Sequence, residues 1–271
     1  MTPAASRTWL FVPASRPDLF AKAAASGADE ILLDLEDAVG DADKPAARQA
    51  VARWLEEGRG AWVRVNGPAT PWYDGDVAAI RDRPGLAGVM LAKADASEAV
   101  ARLRAALPAG VGVVPLVESA RAVHHVVEIA SCGATRLAFG SLDYALDLGC
   151  DPVDDALLLA RSSLVQASRI AGLPGPLDGV ATELYDQEVV ESAARYARRL
   201  GFGGKLCVHP AQLAAVRAAF APAPAEVEWA RSVLAAAGSG GAATGVDAHL
   251  VDKPVLDRAR RLLVEVDGVP A

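Results

Sequence analysis

The stretch EILLDLEDAV, residues 30–39, joins an apolar run to a cluster of acids. The run at 31–33 is typical of a strand buried on both faces, as in a parallel sheet covered by helices. Acidic side chains are rarely buried without a partner. The change to Asp34, Glu36 and Asp37 therefore predicts a strand that stops here and delivers its acids to a functional edge.

Seven more apolar runs alternate with Ala-rich segments of helical spacing. Eight such units in about 210 residues predict a closed (β/α)8 TIM barrel. An open doubly wound sheet is the alternative, but no GxGxxG follows the first strand. The predicted strands lie at 8–13, 30–35, 61–66, 88–93, 112–118, 136–141, 177–182 and 204–210.

Two of the helical segments carry specific predictions. In DADKPAARQAV we expect Asp43 to cap a helix and Pro45 to lie in its first turn, where a missing N–H costs little. The segment Ala120–Ser131 is predicted as one helix. It contains His124 and His125, which point about 100° apart on a helix and so do not face one ligand.

The pattern changes after the eighth strand. We assign residues 1–220 to the catalytic barrel and residues 221–271 to a C-terminal helical extension, or arm. A small-residue loop, GSGGAATG at 238–245, precedes the last predicted helix. It is either a plain linker or part of a lid or arm that packs on a neighbouring subunit.

Composition excludes several classes of protein. The 271 residues are 52% hydrophobic with a net charge of −7, and no basic stripe indicates a nucleic-acid partner. No run of 18 apolar residues predicts a membrane span. The first residues lack the pattern of a secretory signal, so we expect a cytoplasmic protein. Three scattered cysteines form no disulfide framework.

Polar residues follow the predicted strands at the end where barrel enzymes carry their chemistry. Glu118 and Asp143 follow two adjacent strands, and two carboxylates without histidine or thiolate suit Mg2+. Their alternative is capping of the next helices. Arg64, within WVRVN, suits a substrate carboxylate because its planar fork binds in two-point fashion. A structural ion pair with the neighbouring acids is the alternative, and both roles are compatible.

The ordered motifs of the chain resemble those of one known family. The chain is similar to the citrate lyase beta-subunit and malyl-CoA lyase group of the HpcH/HpaI aldolase superfamily, whose members are (β/α)8 barrels, commonly trimeric. The resemblance covers nearly the whole chain. The motifs are RTWLFVPASRP, ADEILLDLEDAV, KPAAR, WVRVNG, VPLVES, FGSLDYALDLG, GKLCVHPAQ and LVDKP.

The resemblance implies roles for individual residues. Glu118 and Asp143 match the metal carboxylates, and Arg64 matches the arginine that holds the oxoacid or its hydroxyacid parent. Glu36 and Asp37 match acids that lie behind the metal and order its waters or the arginine.

Three further residues complete the implied site. Asp252 in LVDKP matches an aspartate of the arm that reaches a neighbouring subunit's site and acts in proton transfer. Pro13 and Ser119, at the ends of the first and fifth strands, are assigned to substrate binding. Ser141-Leu142 departs from the acidic or amide residues that the family often has before the metal aspartate, which leaves the exact substrate open.

By resemblance, the expected activity is Mg2+-dependent carbon–carbon cleavage of a 2-hydroxyacyl-CoA thioester. The substrate is malyl-, citramalyl- or citryl-CoA, and the products are an oxoacid and an acyl-CoA formed through a CoA enolate. The expected assembly is a homotrimer. The alternatives are a thioesterase or malate synthase-type activity on the same esters, a subunit of a carrier-dependent citrate lyase complex, and a non-catalytic barrel that binds an oxoacid or CoA ester.

Overall fold

The computed structural model describes residues 6–238 and 251–267, and within them eight parallel strands form a closed barrel. Each strand pairs with the next along the chain, and β8 pairs with β1 to close the ring. The predicted TIM barrel is therefore confirmed. The strands are β1 (Thr8–Pro13), β2 (Glu30–Asp34), β3 (Ala61–Val65), β4 (Leu86–Leu91), β5 (Gly112–Val117), β6 (Ala138–Phe139), β7 (Leu177–Asp178) and β8 (Gly204–Cys207).

Helices follow the strands around the outside of the ring, as expected for βα units. Those before β8 are α1 (Phe20–Ala24), α2 (Lys44–Glu56), α3 (Tyr73–Ile80), α4 (Ser97–Ala106), α5 (Ala120–His124), α6 (Val126–Ser131), α7 (Ser141–Leu148), α8 (Asp154–Ile170) and α9 (Gln187–Leu200). Those after β8 are α10 (Leu213–Phe220), α11 (Pro224–Gly238) and α12 (Lys253–Asp267).

Some predicted boundaries differ from the structure. β6 and β7 have two residues each. β6 is short because the chain leaves the strand conformation at Gly140 and α7 begins at the next residue. The predicted helix Ala120–Ser131 is two helices, since His125 departs from helical geometry with φ −102° and ψ 16°. Asp43 makes no capping side-chain hydrogen bond, because it already lies in a 3-10 turn, whereas Pro45 is in the first turn of α2 as predicted.

The interior of the barrel contains two large indole side chains, Trp9 and Trp62, whose ring centres are 4.6 Å apart. Trp62 lies across the neighbouring strands, where a Cβ on Gly88 would be 2.1 Å from its ring and a Cβ on Gly112 would be 2.3 Å away. Its indole N–H donates to Glu30 Oε2 at 3.1 Å. Two glycines therefore make room for this indole within the packed interior.

Alternation along the strands decides which side chains enter the barrel. Leu32, Trp62 and Leu116 belong to the buried interior cluster. The residues two positions further along β2 and β3 are Asp34 and Arg64, which point to the same side because side chains alternate along a strand. The strands thus carry apolar side chains below and charged ones at the mouth.

The chain divides into two compact units between Arg217 and Ala218. The first contains the barrel. In the second, α11 packs against α12 through Ala230, Val233, Ala259 and Leu262. The predicted boundary at residues 220/221 lies close to this division. Most of the 238–245 loop lies outside the described residues. No helix among those that are described is long and apolar enough to cross a membrane.

Candidate active site

A pocket of about 420 Å3 opens at the carboxyl ends of the strands. Its lower wall is apolar, and its charged residues lie at the rim. This is the end of the barrel where the fold places chemistry. The lining residues are Phe11, Pro13, Asp34, Asp37, Ala38, Arg64, Leu116, Glu118, Phe139, Gly140, Ser141, Leu142, Asp143, Val180, Leu206 and Val208.

Arg64 and Asp34 form a two-point ion pair at the rim. The two residues are paired in the register of β3 and β2, so their side chains leave neighbouring strands on the same side. Arg64 Nε donates to Asp34 Oδ1 at 2.7 Å, and Nη2 donates to Oδ2 at 2.6 Å. Phe11 lies under the guanidinium, 4.7 Å from ring centre to Cζ. The guanidinium is therefore fixed in one plane, with Nη1 left for other partners.

The other two acids of the opening stretch surround Nη1. Glu36 Oε2 lies 3.0 Å from Nη1, and Asp37 Oδ2 lies 3.9 Å from it. Burial raises the pKa of Glu36 to about 7, against the opposing charge of Arg64 and with further repulsion from Asp37. The ion pair given as the alternative for Arg64 is present. It leaves a role in substrate binding open, because Arg64 also lines the pocket.

A buried lysine holds the loop that carries these acids. Lys44 Nζ donates to the carbonyl oxygens of Leu35 at 3.0 Å and Glu36 at 3.1 Å, and to Asn66 Oδ1 at 2.8 Å. Asn66 in turn donates from Nδ2 to Asp76 Oδ2 at 2.6 Å. This network accounts for the lysine of the KPAAR motif and the asparagine of WVRVNG, to which the sequence analysis assigned no role.

Glu118 and Asp143 meet across the pocket rim. Glu118 follows β5, Asp143 is in the first turn of α7, and Lys93 Nζ lies against both carboxylates. Gly140 makes this possible, because a Cβ there would lie 2.4 Å from Glu118 Cβ. Burial raises the pKa of Glu118 to about 8. Burial also favours the neutral form of Asp143, but the hydrogen bond from Lys93 and the proximity of Glu118 outweigh it and lower the pKa of Asp143.

Lys93 lies against both carboxylates. Its backbone N–H donates to Glu118 Oε1 at 2.6 Å, its Nζ donates to Asp143, and Nζ lies 3.5 Å from Glu118 Oε1. No motif in the sequence predicted a function for this residue. The signal that was present is its place two residues after β4, at the same rim as the other charged residues.

The donor set fits a magnesium ion. Two carboxylates converge beside a pocket, and a cationic group of the chain already touches both of them. Mg2+ is commonly bound by one or two carboxylates, with water and substrate oxygens completing the shell. Across residues 6–238 and 251–267, no group of three or more His, Cys, Asp or Glu side chains is close enough to hold a metal by itself.

Of the remaining predicted site residues, Pro13, Ser119 and Asp252, one is among the residues that line the pocket. Pro13 lines the pocket. Ser119 is absent from the described lining. Its hydroxyl accepts from the N–H of Ala122 at 3.0 Å, capping α5, and donates to Asp95 at 2.5 Å. Asp252 belongs to the second unit, where its Oδ1 accepts from the N–H of Val255 at 3.2 Å at the start of α12. The substrate and proton-transfer roles of these residues stay predictions.

Comparison with known proteins shows similarity to one protein family and to several of its members. The model of the HpcH/HpaI aldolase/citrate lyase family matches residues 7–210. A citrate lyase subunit beta-like protein of Mycobacterium tuberculosis is 37% identical, over 96% of this chain and 95% of that protein. A (3S)-malyl-CoA thioesterase of Cereibacter sphaeroides is 32% identical, over 98% and 96% of the two chains.

A solved structure agrees over almost its full length. The crystal structure of CitE from Mycobacterium tuberculosis, in complex with magnesium, acetoacetate and coenzyme A, has a TM-score of 0.88 and 35% identity. The match covers 97% of this chain and 99% of that one. The family resemblance read from the motifs is thereby confirmed. The magnesium predicted as cofactor agrees with the ion in that structure.

Proposed function

This chain belongs to the HpcH/HpaI aldolase/citrate lyase family, and on that premise we propose that it is a Mg2+-dependent carbon–carbon lyase. Its substrate is a CoA thioester with a hydroxyl two carbons from the thioester carbonyl and a carboxylate beside that hydroxyl. Malyl-, citramalyl- and citryl-CoA have this structure. The products are an oxoacid and an acyl-CoA.

One observation carries the proposal: Glu118, Asp143 and Arg64 line the same pocket, with an apolar wall beneath them. A pair of carboxylates and a fixed guanidinium suit a hydroxyacid that is held through a metal and an ion pair. The apolar lower wall suits the carbon skeleton next to the broken bond. The similar CitE structure contains magnesium, acetoacetate and coenzyme A. These are of the same chemical classes as the ion, the oxoacid and the CoA ester proposed for this chain.

Glu118 and Asp143 would hold the ion, which supplies a Lewis acid that lowers the pKa of the substrate hydroxyl. The hydroxyl gives its proton to water, and its oxygen forms the carbonyl of the oxoacid. The carbon–carbon bond breaks, and its electron pair passes to the thioester as a CoA enolate. The enolate carbon then takes up a proton to give the acyl-CoA.

Arg64 would meet the negative charge on the oxoacid through Nη1. Asp34 accepts one hydrogen bond each from Nε and Nη2, so the guanidinium does not have to reorganise when the substrate enters. Glu36 and Asp37 would assist by keeping Nη1 in position. Pro13 would contact the substrate at the pocket edge. Ser119 would contribute indirectly, by capping the start of α5 beside Glu118.

Asp252 is the proposed donor of the proton to the enolate carbon. The proposal also includes a homotrimer in which the second unit of one chain, containing Asp252, serves the pocket of a neighbour. A chain that elutes as a monomer at working concentration, with full activity, would contradict this arrangement.

The decisive experiment is a screen of malyl-, citramalyl- and citryl-CoA with Mg2+, in which free CoA and oxoacid are measured separately. Release of an oxoacid with an intact acyl-CoA supports the lyase. Release of free CoA without an oxoacid supports hydrolysis of the thioester instead. Release of neither from any of these esters contradicts both activities.

Thioester hydrolysis is the second candidate, because one relative of similar identity is named a (3S)-malyl-CoA thioesterase.

Asp252→Asn tests the proposed proton donor in the same assay. We expect oxoacid release to fall by about a hundredfold or more when the proton donor is lost. Asp257→Asn, a change to an exposed acid of the same helix, is the matched control and should leave turnover unchanged. Unchanged turnover in Asp252→Asn would remove Asp252 from the mechanism.

A further inference from the structure

Lys93 has a backbone conformation that bulky residues rarely adopt. Its φ is +51°, and it is the only non-glycine residue with positive φ within the described part of the chain. Strain of this kind persists where the surrounding structure enforces it, and it is concentrated at functional sites. The question is what holds a lysine in this position.

Contacts on both sides of the residue define its position. The backbone N–H, turned by the left-handed conformation, donates to Glu118 Oε1 at 2.6 Å. A Cβ on Gly67 would lie 3.0 Å from Lys93 Cβ and 3.1 Å from Cγ, so the stem passes against a residue with no side chain. The ammonium group then reaches Asp143 and lies 3.5 Å from Glu118.

The ammonium therefore lies where a cation is needed. Two adjacent carboxylates repel each other unless a positive charge lies close by, and the ammonium supplies that charge. The side chain of Lys93 is 42% exposed, so it has space to leave toward solvent. The backbone bond to Glu118 does not depend on the side chain and remains when the ammonium moves.

We propose that Lys93 is the built-in counter-ion of the metal site, which holds Glu118 and Asp143 together without metal and is displaced when Mg2+ binds. Lys93 is thus a positioning residue that sets the affinity for the ion. This inference rests on the proposed metal-binding role of Glu118 and Asp143. Mg2+ competes with the positive charge of Lys93 for the same two carboxylates. A variant with a neutral side chain at position 93 should therefore bind Mg2+ more tightly than the native protein.

The test is calorimetric titration of the full-length protein with MgCl2 alone, without substrate. It is done above the raised pKa of Glu118, about 8, so that protons do not compete with the ion. Lys93→Met should bind Mg2+ more tightly by about tenfold or more, the size expected for removing one adjacent positive charge. Lys93→Arg keeps the charge and should show no gain in affinity.

A second variant covers a failure of the first to fold. Lys93→Gly removes the ammonium and also adopts positive φ without strain, so it should fold and bind Mg2+ as tightly as Lys93→Met. The thermal midpoint without metal should fall in the neutral variants, and saturating Mg2+ should raise it by more than in the native protein. Equal or weaker Mg2+ binding by the neutral variants would overturn the proposal.

Glu118→Gln separates this result from a failure of the proposed metal site. Loss of Mg2+ binding in Glu118→Gln, with no gain in Lys93→Met, rejects the role of Lys93 alone. Native Mg2+ affinity in Glu118→Gln rejects the carboxylate pair itself and the lysine proposal with it.

Discussion

Two groups of buried charge lie on the two sides of the barrel wall, and they are built differently. The mouth cluster consists of Asp34, Glu36, Arg64, Lys93, Glu118 and Asp143. The wall cluster lies between the barrel and α8 and consists of Asp154, Arg161, Asp178 and Lys205. In both, an acid on one strand meets a cation on the next in register: Asp34 with Arg64, and Asp178 with Lys205.

The clusters differ in their balance of charge. The wall cluster pairs two acids with two cations, and Asp178 accepts from Lys205 at 2.5 Å and from Arg161 at 3.0 Å. Burial favours its neutral form, but those two cations outweigh burial and lower the pKa of Asp178. The mouth cluster sets four acids against two cations, and the pKa of Glu118 rises to about 8. A balanced cluster leaves no buried charge without a partner, whereas an excess of acid beside a pocket indicates a place for a further cation.

The largest expected effect is that of Glu118→Gln in the mouth cluster. The amide still accepts from the N–H of Lys93, but it loses the charge that binds a metal. Turnover with Mg2+ should fall by about a thousandfold, while the metal-free protein should be no less stable than the native one. Steady-state kinetics and urea unfolding measure the two quantities. A stability loss as large as that of a wall-cluster variant would contradict the comparison.

Asp178→Asn should have the opposite effect. It leaves Lys205 and Arg161 buried without their shared acid, so the free energy of unfolding should fall by about 3–5 kcal/mol. Turnover per folded molecule should be unchanged. Asp154→Asn is the matched control, since it contacts the same Arg161 from a side chain that is 57% exposed and should cost about 1 kcal/mol or less. Equal losses in the two variants would show that burial does not decide the effect.

The next effect is expected in the pH dependence of metal-free stability, where the raised pKa of Glu118 corresponds to a few kcal/mol at most. The pKa of Glu118 in the folded protein is raised from 4.5 to about 8. The contribution of Glu118 to the free energy of unfolding is therefore complete below pH 4.5 and is lost as pH rises through 8. The folded pKa of Asp178 is lowered from 3.8, so its contribution is complete above 3.8 and is lost as pH falls through the lower folded value.

Thermal unfolding across this range measures both changes. Glu118→Gln should reduce the loss on the alkaline side and leave the acid side unchanged. Asp178→Asn should reduce the loss on the acid side. Stability of the metal-free native protein that increases between the two pKa values of Glu118 would have the wrong sign and would contradict this prediction.

Gly140→Ala should have the smallest effect on turnover, about tenfold, the lower end for a residue that supports a metal ligand. Its Cβ would lie 2.4 Å from Glu118 Cβ and 2.6 Å from Oε2, so the carboxylate has to move. Gly60→Ala, with no atom within 4 Å of the new Cβ, is the control and should match the native protein in kinetics. Native turnover in Gly140→Ala would show that Glu118 tolerates the displacement.

The eight strands and the charged rim were predictable because they depend on local patterns. Apolar runs such as 31–33 are long enough to identify a buried strand, and the acids after them mark its end. The short strands β6 and β7 were predicted too long. Apolar residues continue beyond these strands, into the loop and into α7. Hydrophobicity alone does not distinguish a buried strand from a buried helical turn.

The partners of the charged residues were not predictable in the same way. Arg64 had three acids available in the same stretch, and the register of β2 with β3 decided that Asp34 takes both its strongest bonds. Lys93 was one strand-end lysine among several charged residues. Its importance comes from a backbone turn and from two acids that are 25 and 50 residues away along the chain.

By itself, the sequence of this protein determines the barrel, the family and the set of charged residues at its mouth, because periodicity and motif order are properties of neighbouring residues. The tertiary structure alone decides which charges meet, which acid is raised to a pKa of about 8, and that a lysine lies between the two proposed metal ligands. The physical reason is that charge interactions depend on distance and burial. Both are set by how eight separate strands close into one ring.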